Sequence, residues 1–326
     1  MTAIVETLDL TRRYGTNLAL DHLNLTIPEG AIFGFIGPNG AGKTTTMRIL
    51  TTLLPPSAGE ARVAGVSVTG DPRAVRRLVG FMPDFFGVYD NMKSWEYLDF
   101  FGRAYGVAAP RRQQMIGELL DLVDLGHKRD EPVMSLSRGM KQRLSLARTM
   151  MHDPRLLILD EPASGLDPRA RIELRELLKE LRALGKTIMI SSHILTELAE
   201  MCTHIAIIER GRLLAAGEVQ QILRSIRAHR IVEIRVVAGA ARAEELLRSH
   251  PEVLELRREG ERDGEDASPL DDASGPHLLL VDFAGDERAM GELLAALIAS
   301  DVRVSHFAEQ AGDLEDIFLH VTRGIV

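Results

Sequence analysis

A glycine-rich loop between an apolar stretch and a predicted helix is the feature that most constrains how this chain folds. Residues 37–44 read Gly-Pro-Asn-Gly-Ala-Gly-Lys-Thr and follow the apolar stretch 31–36. Glycines let the backbone curl so that successive N–H groups point inward, and a helix starting at Lys43 adds its dipole to this anion nest. The pattern G-x-x-x-x-G-K-T in this context predicts a phosphate-binding loop.

The side chains of this loop are suited to ATP together with Mg²⁺. Lys43 supplies positive charge at the β- and γ-phosphates, Thr44 has the hydroxyl needed to hold Mg²⁺, and Thr45 adds a donor near the α-phosphate. We therefore expect the chain to bind ATP and to hydrolyse it. The predicted nucleotide contacts are Gly37, Pro38, Asn39, Gly40, Ala41, Gly42, Lys43, Thr44 and Thr45.

A second apolar stretch ends abruptly in two carboxylates. Residues 156–159 are Leu-Leu-Ile-Leu, and Asp160 and Glu161 follow directly. Charges at the end of a buried strand are costly unless they meet a cation or take part in catalysis. We expect Asp160 to face Mg²⁺, through water. Because side chains alternate along a strand, we expect Glu161 to point elsewhere and to act as the general base for a water attacking the γ-phosphate.

Apolar stretches alternate with longer amphipathic ones over the first two-thirds of the chain. This is typical of parallel strands joined by helices, so we predict an α/β fold. Leucines spaced three and four residues apart predict one helix over 171–184, which Gly185 ends. The predicted strands are 31–36, 156–159, 187–190 and 204–208.

The chain, at 326 residues, is long enough for two domains. A hairpin at 211–219 and a polar helix at 220–230 lead to a boundary that separates domain 1–224 from domain 225–326. The second is predicted to be a small α+β domain, and the run 259–275, with seven acidic residues and one arginine, a flexible loop inside it. Its predicted elements are strands 231–236, 253–257, 278–283 and 302–306, and helices at 240–249 and between the last two strands.

Composition restricts the location and the partners. The net charge is −8, but the run 259–275 accounts for most of it, so the remainder is close to neutral and gives no reason to expect a nucleic-acid partner. Cys202, the single cysteine, is predicted to be a reduced core thiol. The apolar stretches are too short to span a bilayer, and the N-terminus lacks a secretory pattern, so a cytoplasmic location is expected.

A third motif identifies a family. Residues 136–143 read Leu-Ser-Arg-Gly-Met-Lys-Gln-Arg, which resembles the LSGGQ-type signature of ABC ATPases. Residues 164–167, Ser-Gly-Leu-Asp, resemble the family's D-loop, and His193 resembles its switch histidine. The resemblance covers about residues 3–220. It implies a P-loop ABC ATPase domain with a parallel core sheet, an antiparallel β subdomain and a helical subdomain.

The resemblance also implies how ATP would be used. Two copies of the chain would meet head to tail, each ATP lying between one phosphate loop and the signature segment of the other copy. Ser137 and Gly139 would contact the γ-phosphate at a helix start. Asp167 would bind across the interface, and His193 would position the attacking water. Tyr14 resembles the aromatic that stacks on adenine.

One position departs from the family pattern. After Gly-Phe-Met-Pro at 80–83, where the family commonly has Gln, this chain has Asp84. Aspartate is shorter than glutamine and accepts hydrogen bonds only when ionised, so it suits a metal but cannot donate to phosphate. Asp84 is predicted to lie on the metal side.

Two further segments indicate a membrane partner. Aromatic residues concentrate between 85 and 101, where ABC ATPases receive the coupling helix of a separate integral membrane permease, although some of them are expected to be core. Residues 314–322 resemble the tail of ABC-2-type exporter subunits. The resemblance thus implies a subunit that powers export from the inner face of the cell membrane. The alternatives are a soluble ABC ATPase associated with ribosomes or DNA and a regulatory module that binds ATP without turnover.

Overall fold

The computed structural model describes residues 2–84, 92–222, 230–258 and 277–309. Its contacts divide the chain into one unit over 1–219 and another over 220–326, where the sequence suggested 224/225. The acidic run 259–275, the tail 314–322 and most of the predicted helix at 220–230 lie outside the described residues.

The first unit contains two sheets. An antiparallel sheet has the order β2-β1-β5-β6, and β3 also pairs with β1. Its strands are β1 Ala3–Tyr14, β2 Asn17–Leu23, β3 Thr26–Pro28, β5 Ala58–Val63 and β6 Val66–Ser67. The second sheet is six-stranded, in the order β11-β10-β4-β9-β8-β7, and is parallel except for β11. Its strands are β4 Ile32–Ile36, β7 Val79–Met82, β8 Leu156–Leu159, β9 Thr187–Ser192, β10 His204–Glu209 and β11 Arg212–Glu218.

The parallel sheet confirms the predicted α/β fold. Every residue of β4, β8 and β9 is buried, as expected for strands covered on both faces. The longer crossovers to these strands contain helices, which is why the apolar stretches alternate with amphipathic ones. The predicted antiparallel and helical subdomains are present as well.

Helices connect and cover these strands. Their bounds are α1 Lys43–Leu50, α2 Pro72–Leu78, α3 Ser94–Ala104, α4 Ala109–Leu122, α5 Arg138–Thr149, α6 Pro168–Ala183 and α7 Leu195–Met201. The helix predicted from 171 begins at Pro168, because Asp167 caps it and proline is favoured at a first helical position. It ends before Gly185, whose φ is +83°.

The second unit has the order β-α-β-β-α-β. It consists of β12 Arg230–Ala238, α8 Ala240–Ser249, β13 Val253–Arg258, β14 His277–Phe283, α9 Glu287–Ala299 and β15 Arg303–Glu309. The sheet is antiparallel in the order β13-β14-β12-β15. Alternate residues Val232, Ile234 and Val236 are buried in one core with Leu247 and Leu293 of the two helices. This is the α+β arrangement that the sequence predicted.

The structure also bears on two further expectations, one for the single cysteine and one for membrane-spanning helices. Cys202 is a free thiol, in line with the reduced thiol predicted for it, and burial raises its pKa. Within the described ranges, no helix is both long and apolar enough to cross a membrane.

A buried carboxylate holds α3 and α4 together. Asp99 accepts hydrogen bonds from Arg112 Nε at 2.5 Å and from Arg103 Nε at 2.7 Å. Burial alone raises the pKa of Asp99, but the hydrogen bonds from the two arginines outweigh it and bring the pKa below the ordinary value of 3.8. The ionised carboxylate therefore stabilises the fold at pH values above its ordinary pKa. This stabilisation is lost as the pH falls through the lowered pKa of the folded state.

Asp99→Asn is expected to lower the free energy of unfolding by about 2–3 kcal/mol, because it leaves the largely buried guanidinium of Arg112 without a counter-charge. Denaturant unfolding at neutral pH measures the change. The matched control is Arg111→Gln on α4, which removes an ion pair to Glu118 exposed on both sides and should cost less than about 0.5 kcal/mol. Equal losses in the two variants would contradict the role given to Asp99.

Candidate functional site

The loop between β4 and α1 forms a pocket of about 220 Å³. Gly42 has a φ of +110°, and a Cβ there would come within 2.7 Å of Leu20 Cδ2. A Cβ on Gly37 would lie 2.2 Å from the carbonyl oxygen of Ile208. Only glycine fits either position, so the tight loop that begins α1 at Lys43 depends on both. The described lining is Ala19, Pro38, Asn39, Gly40, Ala41, Gly42, Lys43, Thr44, Thr45, Asp84, Asp160 and Glu161.

Lys43 is the buried cation of this pocket. Its side chain is 7% exposed, and Nζ donates to the carbonyl oxygen of Gly37 at 2.6 Å. The same Nζ lies 3.5 Å from Glu161 Oε1. A buried ammonium at the start of a helix is suited to binding phosphate, and the role predicted for Lys43 from the motif stays a prediction.

Asp160 joins the phosphate loop to the core sheet. It follows β8 and is 3% exposed. Its Oδ2 accepts from Thr44 Oγ1 at 2.9 Å, and its Oδ1 accepts from Ser191 Oγ at 2.6 Å. Both carboxylate oxygens of Asp160 are thus oriented by hydroxyl groups of the chain.

Ser191 is a residue that the sequence analysis missed. Besides donating to Asp160, its Oγ accepts from the backbone N–H of Glu161 at 2.8 Å. One hydroxyl at the end of β9 therefore sets the position of both acids. Its signal in the sequence was a polar residue directly after an apolar strand and two residues before His193.

Glu161 points away from Asp160, but for a different reason than the sequence suggested. It lies beyond the end of β8 with a φ of +49°, so a left-handed backbone turn, and not strand alternation, directs its side chain. The carboxylate lies between Lys43 and His193, whose Nδ1 is 3.1 Å from Glu161 Oε2. His193 is about half exposed. The two predicted catalytic residues are therefore adjacent.

Asp84 and Tyr14 have different relations to this pocket. Asp84 follows β7 and lines the pocket together with Thr44 and Asp160. Tyr14 lies at the end of β1, 43% exposed, with the Arg12 guanidinium 4.7 Å from its ring centroid. Tyr14 is not among the described residues that line the pocket.

The donor set of this pocket fits a magnesium ion. Mg²⁺ prefers hard oxygen ligands and is usually bound by one or two carboxylates together with phosphates. The Thr44 hydroxyl and the carboxylates of Asp160 and Asp84 supply such oxygens on one wall.

Ser137, Gly139 and Asp167 line a second pocket, of about 230 Å³. Ser137 caps α5 and accepts from Met140 N at 3.3 Å, while Asp167 caps α6 and accepts from Ala170 N at 2.9 Å. Among the residues described, this pocket shares none with the phosphate-loop pocket. Apart from Tyr14, the predicted site residues therefore form two separate groups on one chain.

The chain is similar to known proteins in both sequence and structure. Residues 20–164 match the family model described as ABC transporter. The chain is 33% identical to Nod factor export ATP-binding protein I of Cupriavidus metallidurans, over 99% of this chain and 98% of that protein. It is 34% identical to the daunorubicin/doxorubicin resistance ATP-binding protein DrrA of Streptomyces peucetius, over 91% of this chain and 92% of that protein.

Solved structures resemble the first part of the chain. An ATP-binding subunit of an ABC transporter superimposes with a TM-score of 0.62 at 29% identity, covering 69% of this chain and 93% of that one. The cbiO1 protein of Clostridium perfringens gives a TM-score of 0.63 at 24% identity, over 70% of this chain and 94% of that one, and supports the fold.

Ser191→Ala is expected to lower the kcat of ATP hydrolysis about tenfold and to raise the Mg²⁺ concentration needed for half-maximal rate, because it releases both Asp160 and the Glu161 backbone. Loss of hydrogen bonds to charged or catalytic groups has about this magnitude. Steady-state hydrolysis at varied Mg²⁺ measures both effects.

The control for this variant is Thr187→Ala. It removes a buried hydroxyl at the other end of β9, which accepts from Gly30 N at 2.9 Å. If the two variants reduced kcat equally, the effect would come from β9 as a whole and not from the acids.

Proposed function

This chain belongs to the ATP-binding subunits of ABC transporters and is an ATPase, and we propose that two copies close head to tail around ATP to power export through a separate integral membrane subunit. The observation that carries the proposal is the division of the predicted nucleotide contacts between two pockets of the same unit. Each pocket offers anion-binding groups, one around Lys43 and the other at Ser137 and the start of α5.

Two half-sites on one chain favour a dimer in which each completes the other. The phosphate loop binds the phosphates of ATP from one side. Ser137 and the first N–H groups of α5, near Gly139, are suited to a γ-phosphate approaching from outside, because a helix N-terminus attracts anions. ADP has no γ-phosphate, so it does not hold the two copies together, and ATP stabilises the closed dimer by its differential affinity for that state.

The roles of the remaining residues follow from their positions. Thr44, Asp160 and Asp84 would hold Mg²⁺, which neutralises charge on the phosphates when bound. Glu161 would accept the proton of the attacking water, and His193, beside it, would position that water against the γ-phosphate. Asp167 would contact the other copy. Tyr14, an exposed ring at the end of β1, would stack on adenine, although it does not line the phosphate-loop pocket.

Glu161→Gln is expected to give a stable ATP-bound dimer, because it keeps the shape of the pocket but removes the general base. Size-exclusion chromatography with light scattering should show a dimer with ATP and Mg²⁺ and a monomer with ADP, while kcat falls at least 100-fold. A chain that stays monomeric with ATP would overturn the dimer. A wild type that hydrolyses as slowly as the variant would favour the regulatory module instead.

A cleft beside the phosphate loop is a suitable place for the membrane subunit. It measures about 780 Å³ and shares Thr44, Asp84 and Asp160 with the phosphate-loop pocket. Its other described walls include Leu53, 62% exposed, and aromatic side chains of the α3 region. An apolar segment of a partner placed here would touch residues that also line the magnesium-side wall, so docking and nucleotide state would be coupled.

The aromatic residues that the sequence assigned to docking differ in their exposure in the structure. Tyr97 is fully buried in the core, whereas Phe100 is 41% exposed and Phe101 lines the cleft. Tyr105, which lies beyond the assigned segment, lines the cleft as well. Phe85, Phe86 and Tyr89 lie outside the described residues.

The similar proteins support an export role. Two of them are named for the export of Nod factor and for daunorubicin/doxorubicin resistance. We propose export for this chain too, with the chain held at the inner face of the cell membrane by its partner and without a nucleic-acid partner. A soluble ABC ATPase associated with ribosomes or DNA is the competing function.

Leu53→Asp is expected to release the chain from membranes, because it places a charge in the proposed docking cleft. The measurement is the fraction of tagged chain that co-purifies with its integral membrane partner from the membranes of the source cell. Leu184→Asp is the matched control, since Leu184 is 61% exposed and also follows a helix but does not line the cleft. Equal retention of both variants would move the docking surface elsewhere, and a wild type absent from membranes would favour the soluble ATPase.

A further inference from the structure

Arg138, the third residue of the signature segment, contacts the loop that follows Glu161. Its Nη2 donates to the carbonyl oxygen of Ser164 at 3.1 Å. The guanidinium also packs against Gly165, because a Cβ at that position would come within 2.5 Å of Arg138 Cζ. In the LSGGQ motif this position is glycine, which has no side chain to make either contact.

Among the residues that the structure describes, Arg138 is one of three side-chain donors to the carbonyl oxygens of this loop. Gln142, one turn later on α5, donates to the carbonyl oxygen of Pro162. Arg171 Nε of α6 donates to that of Leu166 at 3.2 Å. The loop 162–166 is therefore fixed at alternate residues, twice from α5 and once from α6, and Arg138 holds its centre.

A short series of hydrogen bonds and ion pairs connects Arg138 to the phosphate-loop pocket. Ser164 N donates to the carbonyl oxygen of Glu161 at 3.1 Å, which closes a turn. The Glu161 side chain then reaches Lys43 at 3.5 Å and His193 at 3.1 Å. The backbone of Glu161 is in the left-handed region, a conformation that costs free energy and persists only when the surroundings hold it.

We propose that Arg138 is a positioning residue that links the two ATP sites of the dimer. Ser137 and Gly139, its neighbours, face the ATP bound by the other copy, while the loop that Arg138 holds ends at the general base for the chain's own ATP. Closure of one site on the signature segment thus orients Glu161 in the other. This inference rests on the proposed function, because it needs the head-to-tail dimer.

The competing role for Arg138 is a direct charge contact with the γ-phosphate of the other copy's ATP. The two roles predict different measurements. A positioning residue affects kcat, since it orients the base, and leaves the ATP-driven dimer intact. A phosphate contact affects the ATP concentration at which the dimer forms, since it stabilises the closed state.

The experiment compares Arg138→Gly with the unaltered chain in two backgrounds. With Glu161 present, we expect kcat to fall about tenfold while KM for ATP stays within about twofold. With Glu161→Gln, the ATP concentration for half-maximal dimer should stay within about twofold. Arg138→Lys, which keeps a donor of similar reach, should recover most of the kcat. A thermal unfolding midpoint close to that of the unaltered chain shows that each variant is folded.

Two further variants make the result specific. Gly165→Ala places a methyl group where the guanidinium lies and should reproduce the loss of kcat. Arg138→Gly combined with Gly165→Ala should reduce kcat by less than the product of the two single reductions. Arg175→Gln is the matched control. It removes an arginine of α6 that pairs with Glu176 and Glu200 and lines neither of the two ATP pockets, so kcat should not change.

The outcomes separate this inference from the function on which it rests. An unchanged kcat in Arg138→Gly, or a loss in ATP-driven dimer at unchanged kcat, would overturn the positioning role. An equal loss of kcat in Arg175→Gln would overturn it as well, because loss of any arginine charge from this unit would then explain the effect. If the Glu161→Gln chain with Arg138 intact did not dimerise with ATP, the proposed function itself would fail, whatever Arg138 does.

Discussion

The buried carboxylate of Asp160 is the group on which the rest of the site depends. It accepts from Thr44 at the start of α1 and from Ser191 at the end of β9, so one side chain joins three segments that are far apart in the chain. A buried charge without partners would cost several kcal/mol, and the two hydroxyls offset part of that cost. The arrangement holds the phosphate loop, both acids and the edge of the sheet in fixed relative positions.

The parallel sheet makes this meeting possible. The carboxyl ends of adjacent parallel strands lie at one edge, which is where ligands bind in open α/β sheets. β4 leads into the phosphate loop, β8 ends at the two acids, and β9, which lies between them, ends at Ser191 and His193. Thr44 and Asp160, which are 116 positions apart, thus come within hydrogen-bond distance because of strand order.

In the proposed dimer, the second pocket would complete the ATP site of the other copy. Its lining includes the starts of α5 and α6, which carry Ser137 and Asp167 as caps. The side chain of each cap accepts a hydrogen bond from a backbone N–H group of its own helix. The hydrogen bond from Arg138 to the carbonyl oxygen of Ser164 connects this pocket to the loop after Glu161. The two pockets are therefore linked within one unit.

The sequence by itself determined the α/β fold, the phosphate loop and the identity of most candidate residues, because each is coded by consecutive residues whose spacing has a physical reason. Gly37 and Gly42 are required by contacts that no side chain tolerates, and Asp160 and Glu161 stand at the end of an apolar strand. The helix caps at Ser137 and Asp167 are local as well.

Only the tertiary structure decided the features that depend on residues distant in sequence. Ser191 belongs to the site because β9 lies beside β8, and Arg138 meets Ser164 because α5 packs against the loop after the acids. The direction of Glu161 follows from a backbone dihedral angle of +49°, which strand alternation does not predict. Sequence periodicity reports which face of an element is buried, whereas hydrogen bonds between elements depend on how those elements pack, and that packing is set by the whole core.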